Sequence, residues 1–555
     1  MRVAADDTRD SYALDDVDPV ADARAGWTYT ATAQVRATSA TDGREVGLVV
    51  RQTDRSGGTL RQVGDAETRV RMSADGYREV SVSYTAREDG GAIDVYLRRP
   101  PGTLVDDDAF LADDVRLVVA TPAERTRSNP TFALHRIAID AAPHFSAPAR
   151  TATGHRFVVV QRWRTDILRD LKEAARRQDD DVRVLMYQNA TFMQDPEEVT
   201  GRHSSCVSTE QAAAHPEWFL RERDGSKMNS EGFGFLFGAD VGEVDYRERC
   251  RDNILAALEA EPLWDGVFLD DVNSTLSGHR SRVDGGRNEP VYERLADGSL
   301  EQLPYEDYLD GTDRPDPATD EEWELRVGGL LETVGGAVRE RERLVIANFC
   351  CEERNEAWGG YLDHLSGGFS EFFVKYPPPS FGVQSLDDRS SYRGASDGWA
   401  QQLGLADEAE RRGKWFLGGV VARPDDDRAA RWGVANLMLV SRGRSSLQLA
   451  GKLPEDSTPS GEETGYYTRE SRPPVFDLAG RLGDPVGPRF EVVRDGEPTG
   501  VWRREFTRGT VLVNPRDSGG AQTVELGASH SGSGHSGVSS VEVGELEGLI
   551  FARDG

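Results

Sequence analysis

The spacing of apolar residues changes twice along the chain. Up to residue 142 they alternate with polar ones in short runs: Trp27–Val35, Val46–Arg51, Val80–Tyr84, Ile93–Leu97 and Val115–Val119, punctuated by Gly and Asp. A period of two turns one face of each strand to a core and the other to water, so residues 1–142 predict an antiparallel β-sandwich. A Pro-, Ala-, Ser- and Thr-rich stretch, 143–154, then reads as a linker. From 155 the apolar runs become continuous: Phe157–Gln161, Val182–Tyr187, Gly234–Phe237, Gly266–Leu269, Leu344–Ala347, Gly368–Phe372, Trp415–Val421 and Ser446–Leu449. Charged amphipathic stretches lie between several of them, namely Asp166–Arg177, Tyr246–Glu261, Glu321–Arg341 and Asp425–Val440. Strands buried on both faces and alternating with helices predict a (β/α)8 barrel over 155–465. A doubly wound open sheet is the alternative, but no Gly-rich phosphate loop follows the first strand. Alternation returns at Phe490–Arg494, Gly500–Thr507, Thr510–Asn514, Gln522–Leu526 and Val541–Phe551, giving a small all-β domain over 466–555. Within it Gly527–Ser540 reads as a flexible Gly/Ser loop carrying two solvated histidines. The expected architecture is multidomain: a central TIM barrel flanked by an N-terminal β-sandwich and a C-terminal all-β domain.

Composition narrows the class. Asp and Glu number 96 against 66 Lys and Arg, a formal net charge of −30, which argues against nucleic acid and anionic membrane surfaces as partners. No uncharged apolar run approaches the roughly 18 residues of a membrane span. Only five of the basic residues are Lys, and an acidic, Lys-poor, Arg-rich surface suits concentrated salt, where the Debye length falls to about 3 Å. The four cysteines (Cys206, Cys250, Cys350, Cys351) fit neither a zinc spacing nor a disulfide framework, and one bridge stays open without an assignment. The opening segment MRVAADDTRDSYALDD has no apolar core of a signal peptide. It begins abruptly within a β-pattern, so the natural start and an export signal are expected upstream, and the protein is expected outside the cell or on its surface.

Barrel enzymes place catalytic groups at the C-terminal ends of strands. The fourth run delivers Asp270, followed by Asp271, and the sixth delivers Glu371. Asn348 ends the fifth, Tyr187-Gln188-Asn189 the second and Gln161-Arg162-Trp163 the first, while Asp240 follows the third. Two carboxylates facing each other across a mouth lined with Trp, Tyr and Asn are the equipment for glycoside hydrolysis. Asp270, among polar neighbours, is expected to be the ionised nucleophile or base. Glu371, among Phe369, Phe372 and Phe373, is expected to keep its proton and act as the acid. Trp163 and Trp218 are candidate stacking faces for sugar rings, and Tyr187, Asn189, Asp240, Asp271 and Asn348 candidate grips on hydroxyls. The competing structural roles are capping or Arg pairing for the acids and core packing for the tryptophans. The Tyr376–Pro379 segment reads as a rigid loop beside the cleft. No His cluster accompanies Asp240, Asp270 and Asp271, so no catalytic metal and no cofactor are expected.

The segments His215–Leu220, Asp265–Val272 and Gly509–Pro515 resemble a hypothetical glycosyl hydrolase-like family 15. The stretch from Phe476-Asp477-Leu478 to Leu482-Gly483-Asp484-Pro485 is similar to the family's late D-L-G-x-P motif with an insertion, and the likeness spans roughly 155–552. It implies a TIM barrel followed by a small β-domain, and glycoside hydrolase activity. Trp27–Val35 and Phe110–Leu117 resemble a galactose-binding-like carbohydrate-binding module, in which Asp113–Asp114 would contribute to a structural Ca2+ site. The expected function is hydrolysis of an extracellular polysaccharide or oligosaccharide by Asp270 and Glu371. The alternative is a non-catalytic carbohydrate-binding or cell-envelope protein on the same scaffold.

Overall fold

The computed structural model describes residues 2–4, 13–15, 23, 28–54, 61–88, 92–100, 104, 107–120, 132–138, 155–178, 181–195, 202–230, 233–272, 274, 291–303, 321–349, 355–375, 399–421, 426–450, 474–494, 496–515 and 520–554. The expected linker at 143–154, Trp27, Asn273, Cys350, Cys351 and the Tyr376–Pro379 segment lie outside the described residues. The chain divides into two compact units, 1–129 with 411–413, and 130–410 with 414–555.

The first unit holds two four-stranded antiparallel sheets. One contains Thr28–Ala37, Arg78–Thr85 and Ala109–Ala120 with the short strand Arg2–Ala4; the other contains Glu45–Asp54, Arg61–Arg71 and Ala92–Arg98 with Ala13–Asp15. Tyr29, Ala31, Ala33 and Val35 alternate into a core shared with Val46, Leu48, Val50, Ile93, Val95 and Leu97. Strand Arg61–Arg71 escapes sequence reading because it is an edge strand whose side chains stay almost wholly outside that core. Asp113 is exposed, and the side chain of Asp114 lies outside the described residues.

The second unit is built on a closed barrel of eight parallel strands: β1 (Leu134–Ala138), β2 (His155–Gln161), β3 (Arg183–Asn189), β4 (Gly266–Asp270), β5 (Leu344–Asn348), β6 (Gly367–Ser370), β7 (Trp415–Val421) and β8 (Ser445–Ala450). Phe157, Val159, Leu185, Phe268, Ile346, Phe369 and Leu417 fill the interior. Their neighbours Val158, Val160, Val184, Met186, Val267, Val345 and Phe416 belong to the core outside, where the helices pack. Burial on both faces is why the runs read as continuous. Helices α1 (Thr165–Gln178), α2 (Val244–Ala260), α3 (Glu321–Arg339), α4 (Asn355–His364), α5 (Trp399–Arg411) and α6 (Asp427–Val440) follow β2 to β7 in turn.

Two expectations about the barrel are corrected. Gly234–Phe237 is not a barrel strand; it lies in Phe233–Gly238, the centre of a small antiparallel sheet with Phe192–Gln194 and Asn229–Ser230. The missing strand is β1, which places the sandwich boundary before 134 rather than at 142. Leu134-His-Arg-Ile-Ala138 hides from a hydrophobic scan because polar groups serve its interior face. The His135 ring bonds Ser446 Oγ at 3.0 Å, and the Ile137 N–H donates to Gln448 Oε1 at 2.7 Å, closing β8 onto β1. Burial holds His135 neutral, its pKa lowered to about 3.

The C-terminal part is one six-stranded antiparallel sheet containing Phe490–Arg494, Glu497–Phe506, Gly509–Asn514, Gln522–Gly532, His535–Val543 and Glu547–Arg553. Its Val511, Val513 and Ile550 face the barrel-side core, while Val501, Leu512, Leu549 and Phe551 pack on the opposite face. Arg504 is buried and donates to the Met438 and Ser441 carbonyls at 2.9 and 2.7 Å, fastening the sheet to the end of α6. The expected flexible loop at Gly527–Ser540 is instead a β-hairpin that turns at Ser533-Gly534, and His530 is buried rather than solvated. The Gly/Ser composition conceals strands in which only Val524, Leu526, His530, Val541 and Val543 are buried.

Cys206 and Cys250 form a disulfide that ties the segment after β3 to α2 across 44 residues. Closing a loop of that length restricts the unfolded chain by about 4 kcal/mol. The Cys206→Ser/Cys250→Ser double variant is therefore expected to lower the thermal midpoint of the barrel by several degrees in calorimetry, and a reductant is expected to do the same to the wild type.

Candidate active site

Inward-facing positions at the C-terminal ends of the strands change from apolar to polar. Above the Phe268, Ile346 and Phe369 layer come Asp270 on β4, Asn348 on β5 and Glu371 just past β6, with Tyr187 on β3. Period-two alternation counted along each run predicts this placement. Asn348, 2% exposed, donates from its single amide nitrogen to Asp270 Oδ1 at 2.8 Å and to Glu371 Oε2 at 3.2 Å. Two oxygens sharing one nitrogen at those distances lie no more than about 6 Å apart, and the roughly 120° spread of amide N–H bonds sets them about 5 Å apart. Asn348 Oδ1 is buried without a hydrogen-bond partner.

Asp270 also accepts from the Tyr187 hydroxyl, and the neighbouring Asp271 N–H favours its ionised form. That influence depends on the backbone. Asp271 adopts the left-handed conformation, φ 57°, which costs a non-Gly residue free energy but is tolerated best by Asp and Asn. The corner is held on both sides: the Thr191 hydroxyl donates to the Asp271 carbonyl at 2.6 Å, and the Val272 N–H to the Asn348 carbonyl at 3.0 Å. The Asp271 carboxyl accepts from Asn189 Nδ2.

Burial pushes Asp270 above the ordinary carboxylate range, opposed by the donors from Tyr187, Asn348 and the Asp271 backbone. Burial pushes Asp271 up much further, and the negative charges of Asp270 and Glu371 add to it, with Asn189 opposing. Of this adjacent pair Asp271 is pushed up the more strongly and is the better proton holder, while Asp270 has more donors favouring its ionised form. Replacing Tyr187 with Phe removes one group that stabilises the Asp270 anion. Its pKa then rises further, and the acid limb of the kcat/KM–pH profile is expected to move to higher pH, with kcat reduced about tenfold or more.

Glu371 opens the turn Glu371–Val374 after β6. That turn crosses Gly418-Gly419 of β7 closely: a Cβ on Gly419 would stand 2.5 Å from the Glu371 carbonyl oxygen, and one on Gly418 would stand 2.9 Å from the Phe373 ring. Lys375, at the turn's end, is 0% exposed and its Nζ has no hydrogen-bond partner. Burial lowers its pKa to about 8, with Asp426 opposing. Since the folded pKa lies below the unfolded value near 10.4, the charged form penalises folding below pH 8, and the penalty fades as pH rises to about 10.5. Lys375→Met is expected to stabilise the barrel by about 2 kcal/mol at pH 6–7, and by much less at pH 10, in denaturant titrations at both pH values.

Other sequence candidates have other tasks. Trp218 is 2% exposed, with His215 stacked on its ring at 3.9 Å and Tyr246 against its edge, so it is a core residue with no free face for a sugar. Asp240 is 1% exposed and ion-paired to Arg326 at 3.0 Å, which also holds Glu293 and Glu322. Burial pushes its pKa up to about 6 against the Arg326 charge. This carboxyl is structural. Asn189 Oδ1 accepts the Phe192 N–H at 2.9 Å while its amide holds Asp271, so Asn189 orients an acid rather than offering itself to a ligand. Trp163 is half-buried just past β2, with the Arg202 guanidinium 5.8 Å from its ring centre. Gln161, 4% exposed with an unpartnered Oε1, and the Arg162–His203 pair are further polar groups at this end of the barrel. Gln161 is visible in the sequence as the polar end of its apolar run, but His203 is 41 residues from Arg162 and carries no such signal.

Residues 177–373 match the model of hypothetical glycosyl hydrolase family 15, a shorter stretch than the motifs suggest but one containing Tyr187, Asp270, Asn348 and Glu371. No curated protein sequence matches the chain. Among solved structures, the GH31 alpha-xylosidase from Xanthomonas citri is similar at 12% identity and TM-score 0.38, over 96% of this chain and 59% of that one. A GH31 family sulfoquinovosidase from E. rectale is similar at 12% identity and TM-score 0.40, over 86% and 70%. Isomaltulose synthase from Klebsiella sp. LX3 is similar at 10% identity and TM-score 0.42, over 78% and 100%. The chain thus spans less than two thirds of the first of these structures, and likenesses this low say nothing of substrate.

Proposed function

We propose that the chain is a retaining glycoside hydrolase with Asp270 as nucleophile and Glu371 as general acid/base. The observation that carries this reading is the Asn348 amide shared by the two carboxyls. A spacing of about 5 Å suits direct attack, whereas an inverting pair needs about 6.5–9.5 Å to admit water between acid and base. The Asp270 carboxylate attacks the anomeric carbon as the bond to the leaving oxygen breaks, and Glu371 gives that oxygen its proton. Glu371 then takes a proton from water, whose oxygen displaces Asp270 from the same carbon. Asn348 keeps both acids in register, and its free Oδ1 is an acceptor for a sugar hydroxyl. Asp271 keeps its proton, so that a second negative charge does not face the nucleophile.

The substrate is an extracellular polysaccharide or oligosaccharide, and the protein works outside the cell or on its surface. The Cys206–Cys250 disulfide supports this location, since such bonds persist in oxidising surroundings. Among the described residues no helix is long and apolar enough to cross a membrane. The N-terminal sandwich serves as the carbohydrate-binding module, and the acidic, Lys-poor composition suits concentrated salt. The test is a depolymerisation screen of polysaccharides in several-molar salt, with Asp270→Asn beside the wild type. Release of reducing ends by the wild type alone supports hydrolysis. Binding without release across the panel supports the carbohydrate-binding alternative.

A further inference from the structure

Arg162 directly follows β2 and is half-buried. Its guanidinium donates to His203 Nε2 at 2.7 Å. The other ring nitrogen, Nδ1, lies 2.9 Å from the Ser205 carbonyl, an acceptor, so Nδ1 carries the proton and Nε2 is a bare acceptor. His203 is therefore neutral, and burial together with the Arg162 charge lowers its pKa to about 4. Among the described residues no carboxylate stands within ion-pair distance of Arg162, and burial alone lowers its pKa. Nearby Arg164 pairs with Asp166 and Arg326 with three acids. Among the described residues Arg221 and Arg504 also have no carboxylate but donate to backbone carbonyls instead, whereas Arg162 donates only to the neutral His203. Among the described residues this half-buried cation, steered by a neutral histidine, has no counter-ion.

The position says what the counter-ion belongs to. Gln161 pairs in register with Tyr187, whose hydroxyl reaches Asp270. Two strand spacings, about 10 Å, separate β2 from β4 across the barrel end. That is one sugar ring beyond the reacting carbon. The unpartnered Gln161 Oε1 beside it is an acceptor for a hydroxyl of the same ring. Accordingly, we propose that the sugar neighbouring the cleaved bond is anionic, carrying a carboxylate or a sulfate that Arg162 binds. The proposal rests on the hydrolase reading for the location of the cleaved bond. The net charge of −30 disfavours a polyanion in general, so the proposal is confined to a contact with Arg162 itself, since charges beyond a Debye length, about 8 Å at physiological ionic strength, are largely screened.

The test is binding of the full chain to a glycan array in which each uronate or sulfated glycan stands beside its methyl-esterified or desulfated counterpart. Acidic members are expected to bind at least about tenfold better than their neutral counterparts, and the uronate and sulfate arms show which anion is meant. Arg162→Gln should abolish that preference with an unchanged thermal midpoint, and Arg162→Lys should keep part of it, since the charge stays while the planar fork is lost. Equal or better binding of neutral members, absence of binding to acidic ones, or a preference that survives Arg162→Gln overturns the proposal. The wild-type comparison decides even if Arg162→Gln fails to fold. Arg162-dependent binding of an acidic glycan that is never cleaved would sink the hydrolase reading alone, whereas Asp270-dependent cleavage of neutral glycans only would sink this proposal alone.

Discussion

Asp270→Asn is expected to lower kcat for glycoside hydrolysis by about 10⁴-fold or more, because the atom that attacks the anomeric carbon is removed. The substitution keeps the shape of the side chain; its oxygen still accepts from Asn348 while its new amide donates to the Tyr187 hydroxyl oxygen, so the fold should survive. It also removes the negative charge that presses on Asp271, so the thermal midpoint should stay level or rise. With the smaller Asp270→Ala, azide can occupy the vacated space and attack in place of the carboxylate. Partial recovery of rate with azide, yielding a glycosyl azide of inverted configuration, is the expected signature of a lost nucleophile. Activity within tenfold of wild type for Asp270→Asn would show that another group attacks.

Glu371→Gln is expected to have the second largest effect, and one that depends on the leaving group. A natural glycoside leaves as an alkoxide unless it is protonated, so its cleavage should slow by about 10²–10⁴-fold. A dinitrophenyl glycoside leaves without a proton, and for it the first step should be nearly unaffected, with the covalent intermediate accumulating as a burst. Equal losses on both substrates would assign Glu371 to binding or structure instead. Gln preserves the oxygen that accepts from Asn348, so loss of position and loss of the proton are separable.

The position of the proposed pair was legible because barrel strands deliver side chains by simple alternation. Once Gly266–Leu269 and Gly368–Phe369 are read as strands, Asp270 and Glu371 fall on the inward face at the correct end. The misread elements share a cause. β1 carries His135 and Arg136, Arg61–Arg71 is an exposed edge, and the C-terminal hairpin is rich in Gly and Ser. β1 closes onto the sequence-distant β8, and the other two are hairpin strands whose side chains are mostly exposed, none of which a local hydrophobic pattern displays. The same limit hid the Asp240–Arg326 ion pair, the burial of Trp218 beside His215, and the Arg162–His203 contact. Residue type suggested a sugar platform and a ligand grip at Trp218 and Asp240; long-range packing gave both residues to the scaffold.

The central claim is that Asp270 and Glu371 stand close enough for direct attack, and it is tested most directly by trapping the intermediate. A 2-deoxy-2-fluoro glycosyl fluoride of the sugar released in the polysaccharide screen slows both steps but departs readily in the first. Incubated with the wild type, it should inactivate the enzyme and leave one fluoroglycosyl group on the peptide containing Asp270, located there by fragmentation in the mass spectrometer. A label on Asp271 or Glu371, or continued turnover with inversion at the anomeric carbon and no labelled peptide, would contradict the account.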